Sequence, residues 1–182
     1  MQAEDGVVGL MRGTLVLALV VAGCANVQPV VAPTSAVDPN DAYVSVTFNR
    51  SSGRGFAFEM HSKDGKAYYL SLGDRQANNG EDQTVAIEVP PGTYAVTHWV
   101  TYVGKAIEER QPNDNKVLAK PFTVQAGGVA YLGLFDVQQA KRADMNYYSI
   151  KPYVGTRDEA HKALAAGYPN LASRPFQCIL CR

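Results

Sequence analysis

The side chains of this sequence that are spaced for chemistry carry sulfur, imidazole and phenol. Cys178-Ile179-Leu180-Cys181 brings two thiols within three residues. In an oxidising compartment the first reading is a disulfide, although so tight a loop gains little closure entropy. A redox couple, pairing with another chain and free thiols are the alternatives. A thioredoxin-type couple opens a helix whose dipole lowers the thiol pKa, and with Arg182 alone following, no such helix is expected. A structural zinc would need two further ligands, and the histidines lie far off in sequence. Glu59-Met60-His61 and Thr97-His98-Trp99 could join in a metal site, since Met and His together suit copper. The strand pattern, however, puts Met60 on an apolar face with His61 opposite it, and His98 reads as packed and hydrogen-bonded. No metal centre is expected. His161 falls on the polar side of a short helix and is expected in solvent. The ten tyrosines and Trp99 could form a stacking platform for glycan, with Trp99, Tyr69 and Tyr102 as the candidate ligand-binding residues. The same residues also have high strand propensity. There is no Gly-x-Ser-x-Gly elbow, no His-Glu-x-x-His and no phosphate-cradling glycine loop. Gly53-Arg54-Gly55 is a bend, and Glu108-Glu109-Arg110 reads as a solvated loop. The sequence therefore predicts no catalytic residues, no enzyme activity and no cofactor.

One thiol has a different setting. Arg12 precedes an apolar run over Leu15 to Ala22, and Val21-Ala22-Gly23-Cys24 closes it. From Gly13 to Ala25 there is no charge, a length of about 20 Å as a helix. A hydrocarbon core of about 30 Å needs roughly 20 apolar residues, so the run is too short to span and suits an export signal. The motif resembles the lipobox of bacterial lipoproteins. That resemblance implies cleavage before Cys24, acylation of its thiol, and membrane attachment through the N-terminal lipid. Residues 1 to 10 carry Glu4 and Asp5 and no basic residue, so Met11-Arg12 makes a better start. Ala25 after the cysteine, by resemblance to Gram-negative lipoproteins, favours the outer membrane facing the periplasm.

Three segments follow from this reading: a signal over 1–23, a lipidated cysteine with a flexible tether over 24–40, and one β-sandwich domain over 41–182. The tether holds Pro29, Pro33 and Pro39 and a single charge, Asp38. Such a segment buries too little to fold, and a loose coil of this length averages about 20 Å.

Alternation dominates the remainder. Strands are expected over 42–48, 55–60 and 67–72, with Lys63 to Lys66 as a turn and 74–82 as a loop. Val85 to Val89 and Tyr94 to Tyr102 flank Pro90-Pro91-Gly92-Thr93. They read as a hairpin with Gly92 left-handed in a type II turn. Phe122-Val124 and Ala130-Leu134 flank Ala126-Gly127-Gly128 and read as a second hairpin. Asn146 to Tyr153 is a last strand, and 105–116 is a long polar loop. Thr156-Arg157-Asp158-Glu159 has capping-box spacing, and Gly167 can end the helix it starts. The expected fold is mostly β: an antiparallel β-sandwich with one short C-terminal helix.

Val89-Pro90-Pro91-Gly92-Thr93-Tyr94 and Ala126-Gly127-Gly128-Val129-Ala130-Tyr131 resemble the paired hairpins of PEGA-like and transthyretin-like bacterial sandwich modules. The resemblance covers about 41–153 and implies a non-catalytic accessory or binding module. It supplies no active-site residues.

Charge narrows the partners. The chain has 17 basic and 17 acidic residues, and a mature chain without Arg12, Glu4 and Asp5 has 16 and 15. No nucleic-acid face is implied. The expected function is a lipid-anchored envelope protein that binds or scaffolds an envelope protein or the cell wall, through a strand edge or the loops 74–82 and 105–116. A glycan- or metal-binding envelope domain is the rival reading, and an envelope hydrolase a weaker one.

Overall fold

A computed structural model describes residues 30–50, 55–71, 82–103, 106–142 and 145–182. The expected signal, Cys24, Gly53-Arg54 and nearly all of the 74–82 loop lie outside the described residues. The elements in order are β1 Ala42–Arg50, β2 Gly55–Ser62, β3 Ala67–Ser71, β4 Asp82–Val89, β5 Gly92–Val103, β6 Ala106–Pro112, β7 Phe122–Val124, β8 Val129–Arg142, β9 Met145–Tyr153, α1 Arg157–Gly167 and β10 Phe176–Cys178.

The strands form two facing sheets, one ordered β10-β8-β1-β4 with β9 beside β8, the other β3-β2-β5-β6 with β7 beside β5. Most pairs are antiparallel, and β8 runs parallel to both β1 and β10. Alternation explains the core between the sheets. Val44, Val46 and Phe48 of β1 face Phe56, Phe58 and Met60 of β2, and all are at most 1 % exposed. Phe58 meets Phe135 and Phe56 edge-on, at ring separations of 4.8 and 5.5 Å, the geometry aromatic quadrupoles favour.

A third layer covers the first sheet. The helix starts with a complete capping box: Thr156 Oγ1 accepts from the Glu159 amide, and Glu159 Oε2 accepts from the Thr156 amide. Ala160 and Leu164 bury against Tyr43 and Tyr131 on the outer face of that sheet. Tyr131 donates to Thr47 Oγ1 at 2.7 Å, Thr47 and Thr84 share a hydrogen bond of 2.8 Å, and Thr84 donates to the Ala163 carbonyl at 3.3 Å. Burial pushes the Tyr131 phenol up to about 12, so it remains a donor. Leu132 and Gly133 together face Val46 of β1, a bulge at which Gly133 takes φ +137°. A Cβ on Gly133 would come within 3.2 Å of the buried Leu180 side chain.

Both expected proline- and glycine-turn hairpins are corrected. β4 pairs with β1 while β5 pairs with β2, so Pro90-Pro91 carries the chain from one sheet to the other. Likewise β7 pairs with β5 and β8 with β1. Alternation around a turn shows two half-buried strands but not which sheet each joins. Strands facing one core from opposite sides give the same pattern as a hairpin. Gly92 is not left-handed; Gly127 is, at φ +68°. The Lys63–Lys66 turn is a true hairpin, with Ser62 and Lys66 joined by a backbone bond of 3.0 Å.

Among the described residues, the polar 105–116 stretch is a loop only in its last four. Residues 106–112 form β6, an edge strand exposed at six of its seven positions. An edge strand wetted on both faces shows no alternation, so its pattern reads as loop. The chain after it plugs the gap between β6 and β7. Asn113 donates from its backbone to Thr97 O and from Nδ2 to Val96 O, Val96 donates to Leu118 O, and Leu118 is fully buried.

Residues 30–40, expected as part of a free coil, lie against the domain. Val30 bridges Ile87, the Val31 amide donates to Ala86 O at 2.9 Å, and Asn170 Nδ2 donates to Ala32 O and Ser35 O. Arg174 donates to Val37 O, and Val31 and Val37 pack on the cluster around Tyr43. Two valines and the carbonyls of a proline-punctuated strand suffice, because their partners are already fixed on the domain.

Candidate functional site

The charged constellation of the domain sits on the outer face of the second sheet. In β2 the inward Phe56, Phe58 and Met60 leave Ala57, Glu59 and His61 outward. In β5, Glu59 pairs with His98 and Met60 with Val96, so Thr97 is an extra residue in the ladder. Such a bulge reverses the alternation beyond it. Tyr94 and Val96 point inward, then Trp99 does, while His98, Val100 and Tyr102 point outward. Unbroken alternation would put Tyr94, Val96, His98, Val100 and Tyr102 on one face.

Arg110 reaches this site from β6. Its Nε donates to Glu59 Oε2 at 2.7 Å and its Nη2 to Oε1 at 2.8 Å, a bidentate pair. His61 Nε2 lies 2.7 Å from Oε1. His98 Nδ1 lies 3.1 Å from Arg110 Nη2, 3.0 Å from Thr97 Oγ1 and 3.8 Å from Glu59 Oε1. The network assigns the protons: His61 donates through Nε2, and His98 accepts at Nδ1, which leaves its own proton on Nε2. Glu59 is 1 % exposed, whereas the Arg110 side chain is 46 % exposed.

The electrostatics follow from these contacts. Hydrogen bonds from Arg110 hold the Glu59 carboxyl below its ordinary range, against burial, with help from His61. Burial, then the Arg110 charge, pushes His98 down. Glu59 in turn raises Arg110. Burial and the Glu59 charge push the neighbouring Tyr69 phenol up. The carboxylate is satisfied by two partners and stays ionised until the pH falls below the ordinary carboxylate range. Among the described residues no group of three or more His, Cys, Asp or Glu side chains could hold a metal.

The Met60-His61-His98 grouping does not form around sulfur. Met60 is in the core, fully buried, while the two imidazoles lie outside with ring centres 6.4 Å apart. The aromatic trio is also split. Trp99 stacks on Phe56 at 6.1 Å and meets Tyr148 at 5.8 Å on the core side. Tyr102 is buried on the outer face, bonded to Ser71, with half-buried Tyr69 beside it. Trp99 and Tyr102 stand three residues apart in one strand and so face opposite sides of the sheet, and the three do not make one platform. His161 is not solvated: its Nε2 lies 2.8 Å from Ala172 O and its ring meets Phe176 edge-on at 5.2 Å. Cys178 and Cys181 are joined as a disulfide, with Cα atoms 5.5 Å apart.

Sequence reasoning placed Glu59 only beside a candidate metal site and Arg110 in a solvated loop, and missed their pairing. The available signal was an acidic residue in an otherwise apolar, aromatic strand, a position that needs a buried partner. The hollows offer less. An open depression of about 510 Å³ lies between the 62–64 turn and Pro90–Tyr94. An apolar cleft of about 50 Å³ under the start of α1 is far smaller than a ligand pocket.

No family model matches the chain, and no curated protein matches it. Among solved structures, a leucine-rich repeat protein from Bacteroides thetaiotaomicron is similar over 54 % of this chain and 12 % of its own, at 20 % identity and a TM-score of 0.37. A structure described as "Trapped Toxin" is similar over 61 % of this chain and 24 % of its own, at 10 % identity and a TM-score of 0.20. The chain thus spans less than a quarter of either one's length, and likenesses this loose carry no assignment.

Proposed function

We propose that the chain is a lipid-anchored cell-envelope protein whose sandwich binds or scaffolds another envelope protein without catalysis. The observation that carries the binding half is the closed state of its charged cluster. Glu59 is saturated by Arg110 and His61 on an open sheet face, not poised in a cleft. What the cluster does is clamp β6, and β6 ends its sheet with an exposed main-chain edge among the described residues. Such an edge takes a partner strand through backbone hydrogen bonds. The split of Trp99 from Tyr69 and Tyr102 disfavours a cell-wall glycan as the ligand. The anchoring half rests on the Val21-to-Cys24 motif.

The test is crosslinking in the native envelope. The photoreactive residue p-benzoylphenylalanine, placed at Ile107 or Gln111 on β6, should yield adducts with one envelope protein, and the same residue at Lys162 on α1 should not. Equal yields at all three positions, or none at β6, would sink the reading. Labelled palmitate should enter the native chain and not Cys24→Ala.

A further inference from the structure

The docked segment 30–40 sets which end of the domain meets the membrane. This inference rests on acylation of Cys24. An unrestrained tether from Cys24 to Asn40 could reach about 55 Å when extended and would let the domain tumble. The strap removes most of that reach. Val30 is already fixed to β4, and residues 31–37 are held by Ala86, Asn170 and Arg174. Only six residue steps then separate the lipid from the domain, about 20 Å at full extension and about 13 Å as a coil.

The nearer end is fixed as well. About 17 Å from Asp82 at the start of β4, the Val30–Ile87 bridge lies closer to Val89, the C-terminal end of that strand. Ile87 is two residues from that end, about 7 Å, which leaves about 13 Å of chain at most beyond the domain. The turn 63–66, the Pro90–Gly92 crossing and the 125–127 turn all gather at this end, because β4 passes into β5 there and Gly127 bonds to Asp41 at the start of β1. The ends of β1 and β3 and the start of β9 lie at the opposite end.

We propose that the domain stands on the bilayer on its 63–66, 90–92 and 125–127 end, held there by acyl chains and a short strap. Lys63 and Lys66 oppose Asp64 at this end, with Asp38, Asp41 and Glu88 on the flank, so charge is not what holds it down. β6 pairs with the far half of β5, from His98 to Val103. The posture therefore keeps the β6 edge clear of the lipid.

The experiment uses the acylated full chain in phosphatidylethanolamine–phosphatidylglycerol vesicles containing a headgroup spin label. Bimane is attached at Lys63→Cys or at Gln138→Cys, an exposed position on the far part of β8. Quenching at position 63 should exceed that at 138 at least threefold. Asn170→Ala with Arg174→Ala, confirmed as folded by circular dichroism, should bring the ratio towards one. Equal quenching on an acylated chain, or a ratio unmoved by releasing the strap, overturns the posture alone. A mature chain shown by mass spectrometry to carry no acyl group overturns the anchor itself.

Discussion

Arg110 holds Glu59 across an intervening strand: the guanidinium starts on β6, passes over β5 and closes on a carboxylate of β2. Three strands are thereby clipped together on the solvent side of the second sheet, at the point where the Thr97 bulge disturbs their ladder. Half of Arg110 is in water and almost none of Glu59 is, so the two partners are not equivalent. Removing the arginine strands a buried charge, whereas neutralising the glutamate does not.

That asymmetry gives the first prediction. Arg110→Ala should lower stability by about 3 kcal/mol, the cost of leaving a buried ionised group without its main partner. Glu59→Gln with Arg110→Ala should recover part of the loss, since no charge is then left buried. Arg110→Lys should recover less than half, because an ammonium cannot make the fork. Urea unfolding of the four proteins checks this, and a double variant no better than Arg110→Ala would refute it.

Acid should loosen the same clasp in two stages. His98 is pushed below its ordinary 6.5, so below that pH the unfolded chain binds a proton that the folded chain resists, and stability falls. Glu59 is held below its ordinary 4.5. Its contribution is complete above that value and is lost as pH falls through the folded pKa. The melting temperature should therefore decline below about pH 6.5 and more steeply below about pH 4.5. His98→Gln should remove the first limb and keep the second. A first limb of equal size in His98→Gln assigns it to another group.

How legible this was depended on whether one residue's neighbours could be read from its own strand. The capping box at Thr156 and Glu159 is a local device, and it stood in the sequence complete. Alternation in β1 and β2 gave the inward faces because the large apolar residues keep to the core side, while the other side holds Tyr43, Ser45 and Thr47 in β1 and Ala57 and Glu59 in β2, buried though these are. Partners from another sheet left no local trace. The residues Pro90-Pro91-Gly92 cross between sheets although they read as a hairpin turn, and β6, wet on both faces, read as a loop. The single extra residue Thr97 inverted the faces of His98, Trp99, Val100 and Tyr102, whereas the odd spacing of Trp99 and Tyr102 already set those two on opposite faces. Residues 30–40 look disordered by composition. They are held by Asn170 and Arg174, more than 130 positions away.

The C-terminal segment is seated by a glycine that composition does not single out. Gly133 has φ +137°, a conformation a side chain resists, and a Cβ there would come within 3.2 Å of the Leu180 side chain. Gly133→Ala should cost about 1–3 kcal/mol through backbone strain and overpacking. Leu180→Ala should cost a comparable amount through a cavity. Because both act on one contact, the double variant should lose less than the sum of the singles. Thermal unfolding under non-reducing conditions keeps the Cys178–Cys181 link out of the comparison, and strict additivity would count against a shared contact.

The stretch after β6 separates a structural role from a binding one most sharply, because two adjacent residues there differ in burial. Leu118 is fully buried in the gap between β6 and β7, and Val117 is 45 % exposed. Leu118→Ala removes a core side chain and should cost about 2–5 kcal/mol; Val117→Ala should stay within about 0.5 kcal/mol. Asn113→Ala should fall between them, since it frees the Val96 carbonyl and the Asn115 amide together. Were this stretch a contact loop, all three variants would melt alike and differ only in partner capture. Were it the plug that its hydrogen bonds describe, excising 106–116 would expose the core edge of β5, and the product should aggregate on expression. Sedimentation of the excised chain against Val117→Ala decides between the two.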